Sequence, residues 1–139
     1  MNPVHVVVSA TEIDVAALEA WVAMPADGAV VTFRGVVRNH DHGAAVSSLE
    51  YQAHPDAERI LGETCARVSE RTGLRTAAVH RIGLLAIGDV ALAAVVASPH
   101  RAEAFATLAE LVNEIKREVP IWKRQHLADG LTEWVGLTD

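Results

Sequence analysis

The chain contains ten arginines but two lysines, and both lysines, Lys116 and Lys123, fall within Ile115-Lys116-Arg117-Glu118-Val119-Pro120-Ile121-Trp122-Lys123-Arg124. Arginine serves solvation and ion pairing elsewhere, so lysine confined to this stretch points to a task that a guanidinium cannot perform. A primary amine can give up its proton when desolvated, act as acid or base, or attack a carbonyl, whereas guanidinium stays protonated. Pro120 lies between the two amines. It cannot continue a helix and it steers Val119 away from helical backbone, so the preceding helix ends here and the chain turns. Lysines separated by such a break need not share a helix face and can approach one pocket from two sides. The plainer alternative is that basic residues in a last helical turn only complement the helix dipole.

Other cationic groups suggest anion binding. His100-Arg101 falls in the first turn of a predicted helix, where positive side chains oppose the dipole; with the free backbone N–H groups there they would make a phosphate or carboxylate site. Arg38-Asn39-His40, at the end of a predicted strand, is a second candidate, with a solvated loop as its alternative. His40 and His42 lack the further ligands that a zinc site requires, so no metal is expected. His80-Arg81 alternates within a strand, which directs one of the two inward. There is no Gly-rich nucleotide loop and no serine nucleophile elbow. Cys65, the single cysteine, reads as a small core residue.

These residues need elements to hold them. Val4 to Val8 reads as a strand and Thr11 to Ala23 as a helix with Ile13, Ala16, Ala17 and Trp21 as its spaced positions. Ala29 to Val37 is a long strand in which Gly35 marks a bulge or close approach, and Val46 to Ala53 returns as its hairpin partner. A helix runs from Pro55 to about Arg71, stopped by Thr72-Gly73. Thr76 to Leu85 and Val90 to Ala97 form a hairpin around Gly88-Asp89. Ser98 is a competent N-cap and Pro99 suits a first turn, opening a helix with Phe105, Leu108, Val112, Ile115 and Val119 inward. Leu131 to Val135 adds a last strand. The expected class is α+β, with about three helices and a largely antiparallel sheet.

At 139 residues the chain suits one domain, 1–139, with a core that needs no disulfide or metal. A formal net charge of -6 argues against a nonspecific nucleic-acid binder and favours a small anionic ligand at local basic residues. No run of residues is long enough to span a membrane and no leader pattern opens the chain, so a cytoplasmic location is expected.

Taken together, the motifs resemble one known family, the large catalytic subunit of molybdopterin synthase. They are Gly28 to His40, Leu49-Glu50-Tyr51, His80-Arg81-Ile82-Gly83 with Gly88-Asp89, Ser98-Pro99-His100-Arg101, and Lys116 with Pro120-Ile121-Trp122-Lys123-Arg124, covering most of the chain from about Gly28 to Val135. The resemblance implies an α/β hammerhead-type fold and a sulfurtransferase of molybdenum cofactor biosynthesis. It implies a homodimer within a heterotetramer, each subunit binding a small ubiquitin-like carrier whose C-terminal Gly-Gly thiocarboxylate donates sulfur to cyclic pyranopterin monophosphate. Two transfers would build the dithiolene, with no cofactor required. Carried over by position, Lys116 and Lys123 match the catalytic lysines, Arg38, His100 and Arg101 match substrate-binding positions, and Phe33 is a pocket wall. One departure is Gln125, where many relatives carry a glutamate.

A thiocarboxylate is already a good sulfur nucleophile, so the protein's expected task is to position it and neutralise charge. Lys123 is expected to transfer a proton or stabilise charge at the reacting carbon, and Lys116 to hold the carrier terminus or the oxyanion. A reversed assignment is also open. The alternative from another class is a non-catalytic dimeric module that binds a pterin or phosphate.

Overall fold

The computed structural model describes residues 3–41 and 43–136. The elements in chain order are β1 (Val4–Ser9), α1 (Val15–Val22), β2 (Ala29–Val36), β3 (His40–Asp41), β4 (Ala44–Ala53), α2 (Ala57–Thr72), β5 (Arg75–Arg81), β6 (Gly83–Ala86), β7 (Val90–Ser98), α3 (Arg101–Glu118), β8 (Ile121–Leu127) and β9 (Thr132–Gly136). Among the described residues this is an α+β architecture with three helices and strand pairing that is antiparallel except between β1 and β5.

The strands form two sheets. The first has the order β1-β5-β7-β2; the second runs β3-β4-β8-β9, with β6 also paired to β4. β7 is buried along nearly its whole length, and its sequence, Val-Ala-Leu-Ala-Ala-Val-Val-Ala-Ser, is apolar on both faces because both are covered. Ala93, Val95 and Ala97 meet α1 on one side, together with Ala77 and Val79 of β5. Leu92, Ala94 and Val96 point the other way, into a larger core with Leu61, Cys65 and Val68 of α2 and Leu108, Leu111, Val112 and Ile115 of α3. Leu49, Tyr51, Leu85 and Ile121 of the second sheet join that same core. No helix among the described residues is long and apolar enough to cross a membrane.

Several sequence expectations are corrected. β2 and β4 are not a hairpin: β2 pairs with β7, and β4 pairs with β3, β6 and β8. Alternation identifies strands but not their partners, and here the intervening residues carry the chain from one sheet to the other. Likewise the stretch Thr76 to Leu85 is two strands. It breaks between Arg81 and Gly83, where Gly83 has φ of 95°, so β5 stays in the first sheet while β6 joins the second.

The helices also shift. α1 starts at Val15 behind an Asp14 cap, whose Oδ1 accepts from the Ala17 N–H at 3.1 Å. Its buried stripe is therefore Val15, Leu18 and Val22, and Ala16 and Ala17 face outward. Ser98 remains in β7, paired with Ala29, and α3 begins at Arg101 with His100 at the N-cap. Phe105, expected inside, is 60% exposed; Ala104, Leu111 and Thr107 fill the inward positions beside Leu108. The bulge expected at Gly35 is present as a register shift between Gly35 and Val36.

Candidate active site

α3 ends where Pro120 requires it. Val119 is the C-cap in extended backbone (φ -82°, ψ 122°), its N–H donating to the Ile115 carbonyl, and the chain passes directly into β8. The carbonyl of Pro120 accepts from the His54 N–H at 3.0 Å, which ties the junction to the end of β4. Lys116 thus stands in the last turn of a helix while Lys123 stands in a strand.

Strand register explains how the two meet. Lys123 lies opposite Tyr51, and Gln125 opposite Leu49, so these four side chains share one face of the second sheet. In the first sheet His80 pairs with Leu92, which also pairs with Gly35, and this row faces the same space. Between the two rows is a cleft of about 180 Å³ lined by Arg38, His40, Asp41, Tyr51, His80, Lys116, Lys123 and Gln125. Gly35 keeps it open. A Cβ there would lie 3.1 Å from Cε2 of Phe33 and 3.6 Å from Cβ of Leu92.

The electrostatics are those of a desolvated cationic site. The pKa of Lys116 is lowered, first by burial and then by the neighbouring charges of Lys123 and Arg38. His80 is 1% exposed and its pKa falls to about 4, again chiefly through burial, with Lys116 adding to the effect. It is neutral at pH 7. Its Nδ1 lies 2.8 Å from the Arg81 carbonyl, which can only accept, so Nδ1 carries the proton and Nε2 is a free acceptor. The Tyr51 ring meets His80 edge-on at 5.0 Å, and burial raises its hydroxyl to about 12. Asp41, 8% exposed, is the single carboxylate among the residues lining the cleft.

Within one chain the structure unites Lys116, Lys123 and Arg38 but not the remaining expected residues. His100 and Arg101 sit at the opposite end of α3, about 22 Å from Lys116 at about 1.5 Å per residue. There they line a shallow depression with Gly28, Pro99 and Ala102. Gly28 is required for that approach, since a Cβ would come within 2.8 Å of the Pro99 carbonyl oxygen. His100 makes no side-chain cap hydrogen bond at the N-terminus of α3, the end of the helix that the depression adjoins. Phe33 is half-buried behind Gly35 and does not line the cleft directly.

Sequence reasoning passed over Asp41 and set Gln125 aside. It directed one of His80 and Arg81 inward without placing either at the lysines. The signal available for Gln125 was its two-residue spacing from Lys123, which in a strand puts both on one face; it was missed because no strand was expected between Pro120 and Leu131.

Comparison with known proteins identifies relatives of the chain. The chain is 39% identical over 115 residues to the molybdopterin synthase catalytic subunit of a Nostoc species, covering 81% of this chain and 70% of that protein. It is 41% identical over 119 residues to molybdopterin synthase catalytic subunit 1 of Mycobacterium tuberculosis, covering 84% and 80%. The crystal structure of molybdopterin synthase from Staphylococcus aureus superposes with a TM-score of 0.86 at 36% identity, covering 98% of each chain. The family model described as MoaE protein matches residues 8–118, which span β2 to β7 and all three helices, and the chain belongs to the MoaE family.

Proposed function

We propose that this chain is the catalytic subunit of a molybdopterin synthase, transferring sulfur from the C-terminal thiocarboxylate of a small ubiquitin-like carrier to cyclic pyranopterin monophosphate. The observation that carries this reading is the convergence of both lysines, with Arg38, on one half-enclosed cleft. A thiocarboxylate and a cyclic phosphate are both anions, and three cations around one cleft, with Lys116 partly desolvated, attract both. The cleft is small. It suits a thin Gly-Gly terminus meeting a pterin side chain, with the body of the carrier left outside.

In the reaction the thiocarboxylate sulfur attacks an oxygen-bearing carbon of the precursor; the C–S bond forms as the C–O bond at that carbon breaks, the departing oxygen takes a proton, and the carrier is left attached as a thioester. Water then adds to the thioester carbonyl, the acyl C–S bond breaks, and the carrier departs with a carboxylate. The first step needs proton delivery at the precursor, and the second needs a cation beside the oxyanion. The depressed pKa of Lys116 suits it to moving the proton, with Lys123 supplying charge. That is the reverse of the division expected from sequence.

His100 and Arg101 reach the same substrate only from a second copy of the chain. β2 is an edge strand of the first sheet, with Val30 42% and Val36 47% exposed, and α3 beside it exposes Phe105; this apolar edge supports a homodimer across it. The carrier's body has a candidate surface on the outer face of the second sheet, where register aligns Leu84, Glu50, Arg124 and Trp134 across four strands. Leu84 and Trp134 are well exposed, Trp122 stands in the adjacent row, and the Glu50–Arg124 ion pair crosses between them. An apolar surface with polar groups among it is what a specific protein interface requires.

The test is to combine the protein with thiocarboxylated carrier and cyclic pyranopterin monophosphate and assay dithiolene product. Product is expected, and binding without turnover would instead favour the non-catalytic pterin-binding module. A mixture of Lys123→Ala and Arg101→Ala chains tests the shared site. Each is impaired alone, but a random mixture of dimers should regain about a quarter of the parental sites, because half the dimers are mixed and each mixed dimer has one intact site.

A further inference from the structure

We propose that Asp41 is a positioning residue of the cleft, its carboxylate bridging Gln125 and Arg38 so that the guanidinium is held at the substrate-facing rim. The inference rests on the sulfur-transfer reading above. Gln125, 2% exposed in β8, donates from Nε2 to Asp41 Oδ2 at 2.9 Å, and Arg38 NH2 lies 3.4 Å from Asp41 Oδ1. One carboxylate thus serves a buried amide with one oxygen and a cation with the other. The Arg38 side chain is 61% exposed, so nothing but a partner such as Asp41 limits the directions its long stem can take.

The placement of Asp41 is itself held from several directions. It pairs with Ala44 in the short β3–β4 ladder, Val46 N–H donates to the Asn39 carbonyl at 2.9 Å, and Val37 N–H donates to the Asp89 carbonyl at 3.0 Å. The segment bearing Arg38 is therefore fixed at both ends, and the Gln125 contact fastens it to the strand that carries Lys123. Moving Lys123 and Arg38 relative to each other would break that contact. The carboxylate that Gln125 does not provide is supplied across the cleft by Asp41.

Hydrogen-bond capacity makes the pair exchangeable but not half-exchangeable. With Asp41→Asn, the charge facing Arg38 is lost, and the new amide N–H group is met only if the Gln125 side chain turns over to present its oxygen, leaving one neutral oxygen for the guanidinium. With Gln125→Glu, two carboxylates meet at hydrogen-bond distance, so one must take up a proton or the two must separate. In the double variant the amide at position 41 donates to the carboxylate at position 125 and still offers its oxygen to Arg38.

The experiment compares the parent, Asp41→Asn, Gln125→Glu and the double variant in product formation, melting temperature and the NMR signal of the Arg38 Nε–H group. Each single variant should raise KM for cyclic pyranopterin monophosphate by about tenfold with a smaller change in kcat, and the double variant should return to within about threefold of the parent. The Arg38 signal should move toward that of a free arginine in the single variants and return in the double. A double variant no better than the worse single, or an Asp41→Asn chain with KM within about twofold of the parent, would overturn the proposal. If one single variant fails to fold, the other decides the matter, since a carboxylate that only stabilised the fold would lower the melting temperature without moving KM or the Arg38 signal. If the parent makes no product while the Arg38 signal follows this pattern, the sulfur-transfer reading has failed and the bridge stands.

Discussion

The two ends of α3 carry cationic groups in opposite circumstances. At its C-terminal end Lys116 is half-buried and joined by residues from β4, β5, β7 and β8, so its charge is desolvated and its pKa falls. At its N-terminal end His100 and Arg101 are exposed, and the depression around them comes from one local turn plus Gly28. An enclosed site changes the chemistry of its groups; an open one only concentrates charge. On the function proposed above, the enclosed end is the place for proton transfer and the open end the place for holding an anion.

The largest expected effect tests this difference directly. Lys123→Ala should lower turnover at least about a thousandfold, about 4 kcal/mol in the barrier, with melting temperature and dimerisation nearly unchanged. Lys116→Arg should lower it comparably, because the charge is kept but the transferable proton is lost. Normal turnover in either variant would remove the chemical distinction between the two ends.

Next in size is the cost of enclosure for His80. Its pKa of about 4 in the folded chain lies below the ordinary 6.5, so the unfolded chain binds more protons between those values. Stability should be fully present above about pH 6.5 and fall as the pH drops toward 4, by on the order of 3 kcal/mol in total. Urea titrations at intervals of pH would measure this, and His80→Gln should flatten that part of the curve.

A smaller loss is expected for anion holding. Arg101→Ala should weaken precursor binding by about 1.5–3 kcal/mol, the range for a charge-assisted hydrogen bond, with carrier affinity almost unaffected. Calorimetric titration with each ligand separately would show it, and equal losses for both would move the open end into the carrier interface. The smallest effect sharpens the enclosed end. Arg38→Ala removes one of the charges depressing Lys116, so the Lys116 pKa should rise part of the way toward 10.5, followed by NMR of the lysine side chain. Only part of the shift should reverse, because burial is its larger cause.

How much of this was readable from residues alone follows physical lines. Lys116, Lys123 and the break at Pro120 were legible because composition and proline geometry are local properties. The strand character of Trp122-Lys123-Arg124-Gln125 was not, since its alternation buries a lysine and a glutamine and does not look apolar. The strand partners were hidden for another reason: β2 and β4 have the right pattern for each other and pair elsewhere. His100-Arg101 was correctly placed at the start of α3, but its distance from the lysines emerges only from the length of that helix. Phe105 was misplaced because helical spacing allows it inward or outward, and Leu111 took the inward position.

The passage from α3 into β8 has an evolutionary consequence. Side chains on a strand alternate between faces, so parity decides which of Trp122 and Lys123 enters the cleft. Insertion or deletion of one residue between Pro120 and Lys123 would turn the indole inward and send the amine, together with Gln125, to the outer face. A two-residue change would keep the faces and shift only the reach. Length variation in this segment should therefore come in even steps, and the spacing between the two amines is inherited as a backbone count that point substitution cannot adjust.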